Sequence, residues 1–352
     1  MTSEITCEQE IERIFVGFAI EAKKRLPDSL QKSKKKVIIL AGPTGCGKSS
    51  FAMDLAETIG GEIISADSMQ VYKGMDIGTA KASKADRKKI PHHLIDIRDV
   101  TDNFNVVDFY YEARHCCQKV LARNSVPIIT GGSGFYIHSL LYGPPSGPPS
   151  VPELRKSLEK EMEIMGSEAL FEKLRQLDPQ YANSITKNDK QKIIRGLEII
   201  SLTGKKVSKL SWKARQKPLN YDFRCWFLHR PKESLYERIE SRCEKMMEEG
   251  FLEEVERLMQ EGLQENSSAS QAIGYRQAID YLNSARTEED GKKFMRDFKQ
   301  ASRNYAKRQF TWFRKEPMFR WLDLDLHDQE VAIDMIRKDY EEGTLLRDEN
   351  LE

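Results

Sequence analysis

The sequence predicts an α/β protein: a parallel sheet flanked by helices, with an all-helical insertion. Three observations carry this reading. Short apolar runs alternate with helical stretches between residues 36 and 142. A glycine-rich turn separates the first such run from the first helix. Past a proline-rich segment the strand signal vanishes, and it returns only at residue 222. Alternation of this kind yields parallel strands covered on both faces.

Each element follows from its residues. KVIILA, Lys36–Ala41, reads as a buried strand, and a helix follows from Lys48 to Ile59. A second strand, Glu62–Ala66, leads into SADSMQVYKGMDIGTAK, residues 65–81, which has neither helical nor strand period. His92–Ile97 is a third apolar run, and a helix over 106–123 precedes the strand Val126–Thr130 and a GGSG turn. YGPPSGPPSVP, residues 142–152, can continue neither helix nor central strand and is a linker. From Pro152 to Leu210 the period is helical, with breaks at Asp178–Pro179 and Thr203–Gly204. DFRCWFLH, Asp222–His229, re-enters the sheet. Helices then run from Pro231 to Lys315, interrupted at Gly262–Ser270, before the short strand FRWLDL and an acidic helix and tail. The expected division is an N-terminal extension (1–35), a core (36–142 and 219–325), an insertion (143–218) and an acidic terminus (326–352).

With 352 residues, 39% hydrophobic and 32% charged, the chain exceeds one average domain and has a soluble composition. No apolar run approaches the roughly 20 residues needed to span a bilayer. Acidic residues precede Ile14–Ile20, the opposite of a signal peptide's basic start. Six cysteines form no C-x-x-C pair, so a reducing cytoplasm is expected, and no obligate protein partner is indicated. A net charge of +1 conceals two basic stretches: ten Lys/Arg against two acids over Lys187–Pro218, and nine against one over Lys292–Lys315. Local density is what a polyanion meets, although solvated helix faces look the same.

GPTGCGKS (Gly42, Pro43, Thr44, Gly45, Cys46, Gly47, Lys48, Ser49) fits G-x-x-x-x-G-K-[ST] between a strand and a helix, so the sheet is P-loop NTPase-like. Backbone N–H groups there cradle a phosphate or diphosphate, Lys48 adds charge, and Ser49 can ligate Mg²⁺. Cys46 is read as a small filler. A motor ATPase needs a strand ending in an acid, whereas VPIIT ends in Gly131, Gly132 and Ser133, with Asp96 of HLID a weak substitute. No guanine-reading N-K-x-D occurs, which favours a transferase over a motor. Asp67 ends the next strand-like run, placing a carboxylate beside the cradle, where it could act as a base, a metal second shell or a cap. YAKRQFTWFRK, 305–315, mixes cations with aromatics, some of which must face the core. DKQKIIRGLEII, 189–200, reads as an amphipathic helix with Ile193, Ile194, Leu197 and Ile200 inside. His92 and His93 lack a third ligand and are read as structural.

GPTGCGKS, DSMQVYKGMDIGTAK, HHLID, PIITGGSGFY, PELR, DKQKIIRGLEI, IGYRQ and KRQFTWFR occur in the order found in tRNA dimethylallyltransferases. The resemblance covers residues 36–322 and is to the bacterial type, since no C-terminal Cys/His zinc finger is present. It implies transfer of the dimethylallyl group of dimethylallyl diphosphate to N6 of adenosine 37, beside the anticodon of tRNAs reading codons that begin with U. It implies Asp67 as general base, and Ser68, Met69 and Gln70 at the target nucleotide. Lys48, Ser49 with Mg²⁺, Ser133 and Arg242 serve the catalytic centre. Arg155, Gln191, Lys192, Ile193, Ile194 and Arg195 in the insertion resemble tRNA-contacting positions. So do Asp67, Ser133, Gln271, Tyr275, Arg276, Lys307, Arg308, Gln309, Trp312 and Arg314 in the core. The family usually has Thr at positions 49 and 133 and Arg at 192; each replacement keeps its donor or charge, although Lys192 loses bidentate phosphate geometry. Residues 1–35 and the acidic tail lie outside the resemblance. A small-molecule kinase of the shikimate or gluconate type would share the cradle and the base. It would need neither basic surface nor the insertion. A nucleotide-gated RNA-binding protein would not need Asp67.

Overall fold

A computed structural model describes residues 35–145, 147–210 and 221–342. The N-terminal extension other than Lys35, and the tail beyond Glu342, lie outside the described residues. In chain order the elements are β1 (Lys35–Ala41), α1 (Lys48–Ile59), β2 (Gly61–Ser65), α2 (Lys84–Lys89), β3 (His92–His93), α3 (Val106–Ala122), β4 (Val126–Gly131) and α4 (Gly134–Tyr142). The insertion holds α5 (Pro152–Leu177), α6 (Pro179–Ala182) and α7 (Lys190–Thr203). Then come β5 (Tyr221–His229), α8 (Lys232–Glu248), α9 (Phe251–Gln260), α10 (Tyr275–Leu282), α11 (Glu288–Phe313), β6 (Arg320–Asp323) and α12 (Gln329–Glu342). No helix among the described residues is long and apolar enough to cross a membrane.

The six strands form one sheet in the order β3-β2-β4-β1-β5-β6, and every pairing is parallel. Val37 through Ala41 are wholly buried, as a continuous apolar strand covered on both faces should be. The strand bearing Asp67 is therefore not the neighbour of the P-loop strand, as the chain order had implied: β4 lies between them. The carboxylate still comes close because β4 ends in glycines. A Cβ on Gly131 would lie 2.2 Å from the Ala66 carbonyl, and one on Gly132 would lie 2.0 Å from the Gln309 amide. A side chain at Gly131 would push the end of β4 away from the Ala66 backbone, and one at Gly132 would displace the Gln309 amide.

The chain divides into two compact units: one within Met1–Asn103, Ala113–Gly134 and Leu219–Glu352, the other Phe104–Glu112 and Phe135–Pro218. The second unit thus takes in part of α3 and most of α4 along with the insertion expected from residue 143. Its core joins Leu158, Met162, Leu170 and Leu174 of α5 to Ile193, Ile194 and Leu197 of α7. Glu198, fully buried, accepts from Ser150 Oγ (2.6 Å), the Val151 N–H (2.9 Å) and Arg195 Nη1 (2.6 Å), which ties the proline-rich linker to α7. In the first unit, buried Asp339 of α12 accepts from Trp226 Nε1 at 3.2 Å and pairs with Arg224 and Arg320. Lys36 Nζ caps the other end of that contact at the Tyr340 and Glu341 carbonyls. The acidic helix is thus fastened to the sheet.

Candidate active site

The turn after β1 reverses through Gly45 (φ +81°) and Gly47 (φ +98°), a left-handed backbone that L side chains resist. This geometry gathers successive N–H groups at the start of α1, where the helix dipole adds positive potential. Lys48 Nζ folds back to the Pro43 carbonyl at 2.8 Å, and Ser49 is exposed in the first turn of α1. Cys46 is fully buried against the turn, consistent with a filler. Thr44 is held from two sides: its N–H donates to Gln309 Oε1 at 2.8 Å, and its hydroxyl accepts from Arg242 Nη1 at 3.0 Å. Burial draws the Arg242 guanidinium below its usual pKa and the nearby Asp67 carboxylate opposes that, so the cation persists.

Asp67 closes an Asx turn, its Oδ1 accepting from the N–H groups of Met69 (2.8 Å) and Gln70 (3.4 Å). Oδ1 is thereby committed to the backbone, which fixes the carboxylate's orientation. Ser133 Oγ accepts from the Ser68 N–H at 3.2 Å and is hydrogen-bonded to Tyr305, whose phenol burial pushes well above its ordinary pKa. Gln70 accepts from Ser65 Oγ at 2.9 Å and donates to the Thr79 carbonyl at 3.2 Å. Those two bonds brace the loop from within.

The far end of this loop rests on residues that sequence reasoning passed over. Glu254 of α9, nearly buried, accepts from the N–H groups of Asp76 (3.0 Å), Ile77 (2.7 Å) and Gly78 (3.2 Å) and from the Tyr275 hydroxyl (2.6 Å). Lys81, with its side chain only 2% exposed, donates to the Tyr72 carbonyl, Asp76 and Asp96. Asp96 is further paired with Arg87 at 2.6 Å, so it is a structural anchor and not a stand-in for a motor acid. No local signal marks Glu254, which sits in FLEEVERL like any acid on a solvated helix face. His93 pairs with Glu62 at 2.7 Å and His92 bonds the Ile90 carbonyl, as the structural reading expected.

These elements enclose a cavity of about 310 Å³ whose walls include Thr44, Asp67, Ser68, Arg242, Tyr305 and Arg308. A P-loop residue, a fixed carboxylate and a desolvated guanidinium thus share one space.

The remaining candidates separate by burial. Gln271, Arg276, Lys307, Arg308 and Arg314 are exposed in the first unit, and Trp312 is 40% exposed beside Gly134. Gln309 is buried, its Nε2 donating to the Gly132 carbonyl at 3.0 Å and its Oε1 accepting from the Thr44 N–H, so it is a strut between two loops. Tyr275 is wholly buried, packed on Phe251, and lines the cavity. In the second unit Gln191 and Lys192 are exposed, whereas Ile193 and Ile194 lie in the core, which corrects their assignment to RNA. Arg195 turns inward to Glu198 and the Pro148 carbonyl (2.5 Å), and Arg155 bonds Glu159 and Gln191. The basic run of α11 is partly neutralised, Lys299 by Glu244 at 2.5 Å and Arg303 by Glu240.

A parallel sheet with a phosphate cradle and a carboxylate in the same cavity defines a P-loop-type group-transfer enzyme. The IPP transferase family model matches residues 70–316. The tRNA dimethylallyltransferase of Protochlamydia amoebophila is 67% identical over 342 residues, covering 97% of this chain and 99% of its own. That of Chlamydia caviae is 50% identical over 87% of this chain and 90% of its own. Among solved structures, the tRNA isopentenylpyrophosphate transferase of Bacillus halodurans superposes with a TM-score of 0.64 at 36% identity, covering 88% of this chain and 98% of that one. A eukaryotic dimethylallyltransferase acting on tRNA gives 0.73 at 27% identity, covering 90% and 81%. The chain belongs to the IPP transferase family and is a prenyltransferase.

Proposed function

We propose that the chain transfers the dimethylallyl group of dimethylallyl diphosphate to N6 of adenosine 37 in tRNAs reading codons that begin with U. The products are N6-(dimethylallyl)adenosine and diphosphate. The observation that carries this reading is the shared cavity of Thr44, Asp67 and Arg242. The adenine N6 attacks C1 of the isoprenoid, the C1–O bond breaks, and its electron pair leaves with the diphosphate. Asp67 takes the proton from N6, a contribution of typically about 10²–10⁴ in rate. The P-loop N–H groups, Lys48 and Arg242 meet negative charge where it grows, on the departing diphosphate. An adenine stacked in an anticodon loop cannot reach such a cavity, so the base must be extruded. Exposed Lys192, Lys307, Arg308 and Arg314 would take the RNA backbone.

Mg²⁺ fits the donors present. It keeps several waters and binds substrate phosphates with few protein ligands, and the exposed Ser49 hydroxyl offers one such oxygen. When bound, the ion would neutralise charge on the diphosphate. A tRNA substrate and buried free cysteines agree with a cytoplasmic location.

The test is incubation of the purified chain with dimethylallyl diphosphate, Mg²⁺ and an anticodon stem-loop, with ATP as the competing donor. Prenylated adenosine, read by mass spectrometry of the digested RNA, is the expected result. Phosphoryl transfer from ATP, or unmodified RNA, would sink the reading.

A further inference from the structure

Three successive P-loop residues are each held by a different arginine. Arg242 reaches the Thr44 hydroxyl, Arg238 Nε donates to the Gly45 carbonyl at 3.0 Å, and Arg230 Nε donates to the Cys46 carbonyl at 2.9 Å. Arg238 and Arg242 lie one turn apart on α8, and Arg230 directly follows β5. Of the three, Arg242 alone lines the cavity, and it is the one the family resemblance had marked. The other two use Nε to satisfy the Gly45 and Cys46 carbonyls, which holds the turn in place.

Their terminal nitrogens then have a second destination. Nη2 of Arg238 and of Arg230 lie 3.6 and 3.8 Å from the point a Cβ on Gly47 would occupy, beside the glycine turn. Arg230 is also paired through Nη1 with Asp325. Arg238 is exposed, and among the described residues no carboxylate pairs with it. An unneutralised planar fork beside an anion cradle matches phosphate oxygens in both charge and geometry.

We propose that Arg238, braced by Arg230, is a further diphosphate-binding residue: it takes the terminal phosphate at the rim of the P-loop and makes the site select a diphosphate over a monophosphate. This rests on the reading of the P-loop as an isoprenoid diphosphate site. A monophosphate fills the cradle and leaves the rim unused, whereas a diphosphate engages both. If Arg238 were only a tether for the Gly45 carbonyl, its loss would loosen the loop and weaken both anions alike.

Calorimetric titration of the full chain in magnesium buffer with inorganic diphosphate and inorganic phosphate tests this, using wild type, Arg238→Gln and Arg238→Lys. Arg238→Gln should weaken diphosphate binding about tenfold or more while changing phosphate binding by less than about twofold. Arg238→Lys should recover part of the loss. Equal weakening of both anions, or of neither, overturns the proposal. Should Arg238→Gln not fold, Arg238→Lys carries the test, with a selective fall in diphosphate affinity expected and a uniform or absent one refuting it. Wild type that binds no diphosphate would instead refute the reading of the P-loop itself.

Discussion

Replacing Glu254 should unfasten one end of the loop that carries Asp67, without touching the cavity chemistry directly. In Glu254→Gln the amide oxygen can keep the Asp76 and Ile77 N–H groups, now at 3.0 and 2.7 Å. The amide nitrogen then faces the Gly78 N–H, donor against donor, and the Tyr275 hydroxyl must turn round to accept. One charge-assisted hydrogen bond is lost outright and the others become neutral. At about 1.5–3 kcal/mol for a bond to a charged group, the loop should open more often by a factor of about ten to a hundred and fifty. Glu254→Ala strips all four donors and should cost about 3–5 kcal/mol, less than the sum because the loop relaxes toward water. Hydrogen exchange of the amides of residues 76–78 reads the local opening, and urea unfolding reads the global cost. The transfer rate should fall with the exchange protection, since Asp67, Ser68 and Gly78 line the same cavity. A folded Glu254→Gln protein whose amides 76–78 exchange at the wild-type rate would refute the assignment.

Asp67→Asn keeps the Oδ1 acceptor of the Asx turn, so it should lower kcat by about 10²–10⁴ with tRNA affinity retained; lost affinity would make Asp67 a binding residue. Gln309→Leu should raise KM for dimethylallyl diphosphate more than it changes tRNA binding, because it severs Thr44 from Gly132; an effect on RNA affinity alone would contradict the strut. Lys192→Ala should weaken tRNA binding and reduce its salt slope by about one. Ile193→Ala should leave that slope unchanged and destabilise the insertion by about 2–5 kcal/mol in urea unfolding. For Glu62, burial would raise the carboxyl pKa, but hydrogen bonds from Arg123 and His93 outweigh it and hold it below the ordinary 4.5. The stability it contributes is therefore complete above pH 4.5 and lost as pH falls through the folded value. Glu62→Gln should accordingly be less stable at neutral pH and show a shallower acid transition, measured by unfolding at several pH values.

What the sequence disclosed was what is local. The P-loop, the first helix and the proline-rich linker each announce themselves within a dozen residues, because glycine, proline and apolar period act on their immediate backbone. Strand adjacency does not: nothing in Gly61–Ser65 says that β4 will come between it and β1. The pattern I-I-x-x-L had already placed Ile193 and Ile194 inside, and carrying a whole motif over as RNA-contacting overrode that evidence. Gln309, flanked by Arg308 and Phe310, gave no hint that its amide would join two loops. Glu254, Arg230 and Arg238 were illegible for the same reason: their partners are backbone groups more than 170 positions away.

The tethers of the P-loop have a temporal meaning. The loop is synthesised early, but its bonds come from Arg230, Arg238, Arg242 and finally Gln309, at separations of 184, 193, 198 and 265 residues. Sequence-distant contacts form late, after the entropy of closing long loops has been met. A nascent chain, or one ended by a premature stop before residue 309, carries the glycine turn without its Gln309 strut. Such a fragment should not trap the cell's isoprenoid supply, because the cradle becomes a competent receptor only when nearly the entire polypeptide has emerged.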